Sequence, residues 1–537
     1  MNKLFEQLVE KRHITDEFLH PKYENLTDPY ELKDMDKAVA RIKQAISGKE
    51  KILIYGDYDV DGVTSSTLME KALILTGIPP ENIKIMLPDR FADGYGMSPR
   101  LITEAKKSHI TLVITVDCGS HNHAIVDELN LSHIDTIITD HHECPDTLPE
   151  AVAIINPHRK DYPTASLYNL AGVGVAFKLA QALVSCGLIP NGQEKWLLDL
   201  VLLGTICDSM TLIGENRILG CYGIKVLEKT RLRGLKELMR TAGVKQITSE
   251  SIGFQLGPRL NAAGRLETAE LSLELLRTNS PTEAASLTAR LEDLNKKRRA
   301  EQRTATDEIT KRHHSKDNPV IIETGHWHEG ILGIVAGRLV ETYHQPAFVL
   351  SEIEPGIFKG SGRSFGDFNL ANALTYAKDA IIGGGGHAGA AGVKVKQENL
   401  YAFREKINTY YRSLNLQNQE QYFKSHADLT IDSLQDFSLD LLSDLKLLEP
   451  FGAGNEEPLF CLENPEIVET KRMGDHGQHL RLDLKGKDGK ILKCIAFSAP
   501  ESWFRLDNYD PHDFIVKPIE NEWNGVRSVE ARLIDVV

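Results

Sequence analysis

The chain has 537 residues, 41% of them hydrophobic, which allows two to four domains with real cores and excludes a disordered, collagen-like or coiled-coil protein. With 62 basic against 76 acidic residues the net charge is −14, a balance that alone argues against a partner held mainly through phosphates. A charged N-terminus, a longest apolar run (196–206) interrupted by Asp199, and seven scattered cysteines without a C-x-x-C pair argue against a signal peptide, a membrane span and a disulfide framework, and for a reducing cytoplasm.

In chain order, KILIY (51–55), TLVITV (111–116), DTIIT (135–139) and AVAII (151–155) are short apolar runs bounded by turn signals. Amphipathic stretches separate them, as expected for buried parallel strands in a doubly wound sheet. A further apolar stretch, LVLLGTICD, ends in Asp208. Ser280, Pro281 and Glu283 mark a helix start, and the mixed charges of 291–312 read as a solvated helix linking two lobes. The alternative is a DNA-contacting face through Lys296, Lys297, Arg298 and Arg299. A second α/β pattern runs from NPVIIETG (318–325) through PAFVLS (346–351) to VKVK (393–396). Beyond 428, HLRLDLK (479–485), ILKCIAF (491–497) and SVEARLIDV (528–536) alternate as in a small antiparallel barrel. The expected domains are 1–225, 226–315, 316–415 and 425–537.

The chemistry concentrates where the first-lobe runs end. Asp57, Asp59 and Asp61 follow the first run at alternate positions, Asp117 follows the second, and Asp140-His141-His142 follows the third. In a parallel sheet the carboxyl ends of neighbouring strands open into one crevice. Converging carboxylates repel each other there and call for bound cations. Oxygen ligands with a minority of imidazole suit Mn²⁺ or Mg²⁺, and a pair of such ions would hold a phosphodiester, activate a water and stabilise the leaving oxygen.

GDYDVDG, VDCG, DHH and GTICD, in this order and spacing, resemble the four motifs of the DHH phosphoesterase superfamily. PDRFADGYG (88–96), GPRLNAAGRL (257–266), SGRS (361–364), GGGGHAGAAG (383–392) and PFGAGNEEP (450–458) are similar to motifs of its single-strand-specific exonuclease branch. The resemblance implies an α/β fold of two lobes, a DHH parallel-sheet domain and a smaller DHH-associated domain. A long helix would join them, and a C-terminal OB-fold β-barrel would follow.

The resemblance also assigns roles. Asp57, Asp59, Asp61, Asp117, His141 and Asp208 would hold the ions, with Asp117 bridging them and His142 facing the scissile phosphate. Which acid of the first motif touches which ion stays open, as does the choice between Mn²⁺ and Mg²⁺. Asp140 would orient the histidines from behind. Arg90 and Tyr95 would bind the nucleotide beside the cleavage site. Either Arg259 or Arg265, with Asn261, would take the 5′ phosphate, in a stretch whose Gly257-Pro258 and Gly264 argue for a shaped loop. Ser361, Arg363 and Ser364 would clamp a phosphate. The glycine run, with Gly385, Gly386 and His387, would cradle one, being too glycine-rich for an ordinary helix or strand interior. His326, His328 and Glu329 read as structural or substrate-contacting rather than as a third metal site.

The implied activity is a single-stranded-DNA-specific 5′→3′ exonuclease that releases mononucleotides in DNA recombination and repair. A cytoplasmic monomer is expected, working with a single-strand-binding protein and a RecQ-type helicase and with no membrane. The negative net charge is met by acids that bind cations and by a locally basic channel. The rivals are a small-substrate DHH enzyme, which the C-terminal barrel opposes, and a non-catalytic DNA-binding scaffold, which the intact acids oppose.

Overall fold

The computed structural model describes residues 1–94, 96–312, 318–416 and 419–537. The first sheet is built from β1 (Ile52–Tyr55), β2 (Ile83–Met86), β3 (Leu112–Val116), β4 (Asp135–Thr139) and β5 (Ala153–Ile155), all parallel in the order β2-β1-β3-β4-β5. Separate apolar cores cover its two faces, which is why its central strands read as unbroken apolar runs. The short edge strand β2 left no such run, because Lys84 faces solvent in it.

The second sheet comprises β6 (Ile321–Gly325), β7 (Ala347–Glu354), β8 (Ile357–Arg363), β9 (Gly383–Gly386) and β10 (Ala390–Lys396), in the order β6-β7-β8-β10-β9. The helix Pro281–Arg312 connects the two lobes; Ser280 Oγ accepts from the Glu283 amide at its start, 3.3 Å away. The third sheet comprises β11 (Leu429–Thr430), β12 (Phe460–Leu462), β13 (Glu466–Met473), β14 (His479–Lys485), β15 (Ile491–Ala496), β16 (Phe514–Trp523) and β17 (Val526–Val536). Its order is β11-β12-β16-β17-β15-β14-β13. Leu4, Phe5 and Leu8 of the N-terminal helix Lys3–Lys11 complete the core of this C-terminal β-domain, a long-range contact with no local signature in the sequence.

Three segments differ from the sequence expectation. LVLLGTICD, an apolar stretch like those that form the strands, is instead the helix Leu198–Cys207, with Asp208 as its C-cap. That helix is apolar on every side and packs among other helices, so no helical stripe marks it. GPRLNAAGRL is the helix Gly257–Leu266 rather than a loop. Pro258 sits in its first turn, where no amide is needed, and a Cβ at Gly264 would lie 2.7 Å from the Tyr58 carbonyl oxygen, so this glycine serves packing. The run Gly383–Gly386 forms a fully exposed edge strand paired to β10.

Two contacts fix the site's surroundings. The buried Arg217 donates to the carbonyls of Phe18, Leu447, Leu448 and Glu449 at 2.7–3.1 Å, anchoring the C-terminal β-domain to the first lobe. At the junction of the lobes, Gly330 lies against the backbone of Arg265 so closely that a Cβ would sit 1.9 Å from its carbonyl oxygen.

Candidate active site

The carboxyl ends of β1, β3 and β4 do open into one crevice. Asp59 caps the helix Val60–Leu75, accepting from the Gly62 amide at 3.0 Å, and this turn carries Asp57 and Asp61 inward. Asp61 is nailed in place by the start of the helix Gly172–Ser185, whose Gly172 and Val173 amides donate to its two oxygens at 2.7 and 2.9 Å. Asp117 follows β3 with φ of 62°, a left-handed conformation that costs energy for a residue with a side chain. A Cβ at Gly172 would fall 2.6 Å from its carboxylate. Asp208 reaches the crevice from the end of its helix, adjacent to the helix Val60–Leu75.

His141 ties these elements together. Its Nε2 lies 3.1 Å from Asp117 Oδ1, 3.6 Å from Asp208 Oδ2 and 3.8 Å from Asp61 Oδ2. Asp140 holds the loop from behind: Oδ1 accepts from the amides of His141 and His142 and from His142 Nδ1 at 2.8–3.1 Å, and Oδ2 accepts from the Ser120 amide. Burial depresses His141 to about 4, helped by the neighbouring His142, which leaves a neutral imidazole with a lone pair for a metal. Burial alone would lower His142 too, but its bond to Asp140 and the surrounding carboxylates raise it to about 9.

The donor set fits divalent cations. The ligand atoms of Asp57, Asp59 and Asp117 lie within 4.8 Å of one another, as do those of Asp61, His141 and Asp208, and those of Asp117, His141 and His142. Asp57 Oδ1 and Asp117 Oδ1 are buried without a hydrogen-bond donor, an arrangement that proteins avoid unless something else fills it. Burial, followed by repulsion from neighbouring carboxylates, pushes Asp57 and Asp208 up to about 8, Asp61 to about 7 and Asp117 well above its ordinary value. Such a cluster stays ionised at neutral pH only around positive charge.

Across the crevice the charge reverses. Arg265 is half-buried, and its guanidinium is lowered to about 9 by burial and then by Arg90, Arg298 and Arg363. Arg363 is lowered by burial and by Arg90. Among the described residues none of these four arginines has a carboxylate within ion-pair distance. Arg265 donates to the Gly330 carbonyl at 3.3 Å and Arg363 to that of Gly362 at 2.8 Å, while Arg298 Nε is buried without a partner. Mutually repelling guanidiniums of this kind are suited to an anion. Ser361 shares a face of β8 with Arg363, both beside Gly333, and Arg90 lies over the Tyr58 ring.

Other sequence candidates are placed differently. Arg259 is paired with Glu292 of the connecting helix at 2.6 Å and is turned to that role. Asn261 lines a small space with Arg265 and Arg298. Ser364 Oγ donates to the Phe368 carbonyl at 2.8 Å, a loop bond. Gly385, Gly386 and His387 lie on the exposed β9–β10 edge, with His387 Nδ1 accepting from the Gly389 amide. His326 lies near Glu352, and His328 Nδ1 caps the Gly330 amide. Tyr95 lies outside the described residues. Sequence reading missed the Gly172 cradle and the close approach of Gly330, and named Arg298 only within the alternative DNA-contacting face of the connecting helix. The first had a faint signal, glycines opening a helix in AGVGV.

Carboxylates and a neutral imidazole arranged for hard cations, faced by unpaired guanidiniums arranged for phosphate, define a metal-dependent phosphoesterase. Comparison with known proteins agrees. Residues 51–205 match the DHH family, N-terminal domain, residues 317–413 the DHHA1 domain, and residues 428–535 the RecJ OB domain. The chain is 35% identical over 527 residues to the single-stranded-DNA-specific exonuclease RecJ of Bacillus subtilis, covering 96% of this chain and 65% of that protein. It is 33% identical over 527 residues to RecJ of Dickeya dadantii, covering 93% and 89%. The crystal structure of RecJ from Thermus thermophilus in complex with Mn²⁺ matches with a TM-score of 0.84 at 27% identity, over 100% of this chain and 76% of that one. The same protein with Mg²⁺ matches with a TM-score of 0.80 at 26% identity, over 100% and 74%. The chain belongs to the RecJ family, with the two-lobed α/β architecture and OB domain that its motifs imply.

Proposed function

We propose that this chain is a single-stranded-DNA-specific exonuclease that degrades its substrate in the 5′→3′ direction to mononucleotides, using two divalent cations, Mn²⁺ or Mg²⁺. The observation that carries the reading is the pairing, across one crevice, of buried carboxylates lacking donors with half-buried guanidiniums lacking carboxylates. Asp57, Asp59, Asp61, Asp117, His141 and Asp208 would hold the cations, which supply activation of the attacking water and neutralisation of developing charge.

The remaining residues position the strand. Arg265, Arg363 and Arg90, with Ser361, take the terminal 5′ phosphate, so chemistry occurs a fixed distance from that end. His142, anchored through Nδ1 by Asp140, faces the carboxylates and would donate to a phosphoryl oxygen as charge develops there. Asp61 keeps its orientation through the Gly172 and Val173 amides. The role of RecJ proteins in recombination and repair supports a single-strand-binding protein and a RecQ-type helicase as partners. A cytoplasmic monomer belongs to the same proposal; among the described residues no helix is long and apolar enough to cross a membrane.

The test compares a single-stranded oligonucleotide with its duplex. The single strand should be degraded to mononucleotides with Mn²⁺, the blunt duplex should resist, and a chelator should stop degradation until Mn²⁺ is restored. Cleavage of dinucleotides with the oligonucleotide left intact would instead establish a small-substrate phosphoesterase.

A further inference from the structure

Tyr58 stands between Asp57 and Asp59, in the turn that builds the cation site, yet its own contacts lead to the arginines. The Arg90 guanidinium lies over its ring, 4.7 Å from the centroid, a cation–π arrangement. Its carbonyl oxygen meets the helix Gly257–Leu266 at Gly264, one residue before Arg265, where a Cβ would come within 2.7 Å. One residue of the cation loop therefore touches Arg90 itself and the helix that carries Arg265. The backbone around Arg90 is fixed by neighbouring side chains. Asp89 Oδ1 accepts from the amides of Phe91 and Ala92 at 2.8 and 3.0 Å, and Asp93 pairs with Arg100 at 2.8 Å. The Arg90 guanidinium has no such anchor: among the described residues it makes neither an ion pair nor a hydrogen bond, and the Tyr58 ring is what it rests on. Repulsion from Arg265 and Arg363 would otherwise swing this long side chain away from them.

We propose that Tyr58 is a positioning residue whose ring holds Arg90 ready for the 5′ phosphate, at a distance from the cations set by the acids on either side of it. The proposal rests on the exonuclease reading above and names what gives that enzyme its preference for a phosphorylated end. A neutral aromatic face suits the task. A carboxylate in its place would pair with Arg90 and compete with the phosphate, and an aliphatic side chain would leave the guanidinium loose. A held guanidinium loses less freedom when it grips its anion, so more of the binding free energy remains. Tyr58 itself touches no reacting atom and acts through Arg90.

The test measures kcat/KM of the full chain with Mn²⁺ on a single-stranded oligonucleotide bearing a 5′ phosphate or a 5′ hydroxyl, and reads the ratio of the two. Tyr58→Leu should lower that ratio about tenfold, and Tyr58→Phe, which returns the ring, should restore it. Arg90→Ala should lower it at least as far as Tyr58→Leu does. The double variant should be no worse than Arg90→Ala, whereas a tyrosine that merely packs would add its own loss. Mn²⁺ should raise the melting temperature of Tyr58→Leu as it raises that of the wild type, which separates a loosened Arg90 from a damaged cation loop. With a wild type that degrades single strands and prefers the phosphorylated end, three results each overturn this proposal alone: an unchanged ratio in Tyr58→Leu, a loss that Tyr58→Phe shares, or a loss accompanied by a lost Mn²⁺ response. A wild type that leaves the strand intact, or ignores its 5′ phosphate, overturns it together with the reading of the site on which it rests.

Discussion

Asp117→Asn is expected to lower strand hydrolysis by about 10³-fold or more while raising the melting temperature of the cation-free protein. Asp117 is 2% exposed, touches His141 and contributes ligand atoms to both the Asp57–Asp59 group and the histidine group. Without cations its charge is opposed by burial first and then by Asp61, Asp59, Asp57 and Asp208. The amide keeps the shape, removes the repulsion and removes the ligand. Added Mn²⁺ should raise the melting temperature of the wild type far more than that of the variant. The acids also set a pH trend. Their folded values, about 8 for Asp57 and Asp208 and about 7 for Asp61, lie above those of unfolded carboxylates. The cation-free protein should therefore be most stable below about pH 4 as far as these groups are concerned, and lose that stability as pH rises through 7 to 8. A variant that lost activity and stability together would make Asp117 a structural carboxylate.

Gly330→Ala is expected to reduce hydrolysis about 100-fold with the fold and the cation response intact. A methyl group there would lie 1.9 Å from the Arg265 carbonyl oxygen and 2.8 Å from its carbon, so the helix carrying Arg265 and the second lobe must separate. That displaces Arg363 relative to Asp117 by roughly an ångström, enough to misplace a phosphate held on one side from the cations held on the other. The carboxylates all lie in the first lobe, so Mn²⁺ should stabilise this variant as it does the wild type. The rate loss should appear chiefly in kcat/KM, with far-ultraviolet circular dichroism unchanged. A wild-type rate would mean that the lobes are not held in register by this contact.

The acids were legible because strand ends announce themselves: an apolar run that stops at Asp57, Asp117 or Asp140 must place those side chains at one edge of a parallel sheet. Asp208 was legible as a residue but not as a position, since its apolar run is a helix buried on every side and carries no period. The arginines could be named but not sorted. Only the fold shows Arg259 paired with Glu292 while Arg265 joins Arg90, Arg298 and Arg363. Gly330 was out of reach altogether and Gly172 left only the faint signal of glycines opening a helix, because each is glycine on account of an atom far away in the chain, and single-sequence patterns register only neighbours. The N-terminal helix in the C-terminal core escaped for the same reason.

The most direct measurement follows a 3′-labelled single-stranded oligonucleotide in Mn²⁺, with and without a 5′ phosphate, against wild type and Asp117→Asn. Capture of the 5′ phosphate by the arginine cluster beside the carboxylates requires the labelled fragment to shorten one nucleotide at a time, faster with the phosphate present, and not at all with the variant. Immediate release of the label as a mononucleotide, with the rest of the strand intact, would contradict it, because the enzyme would then be entering from the 3′ end.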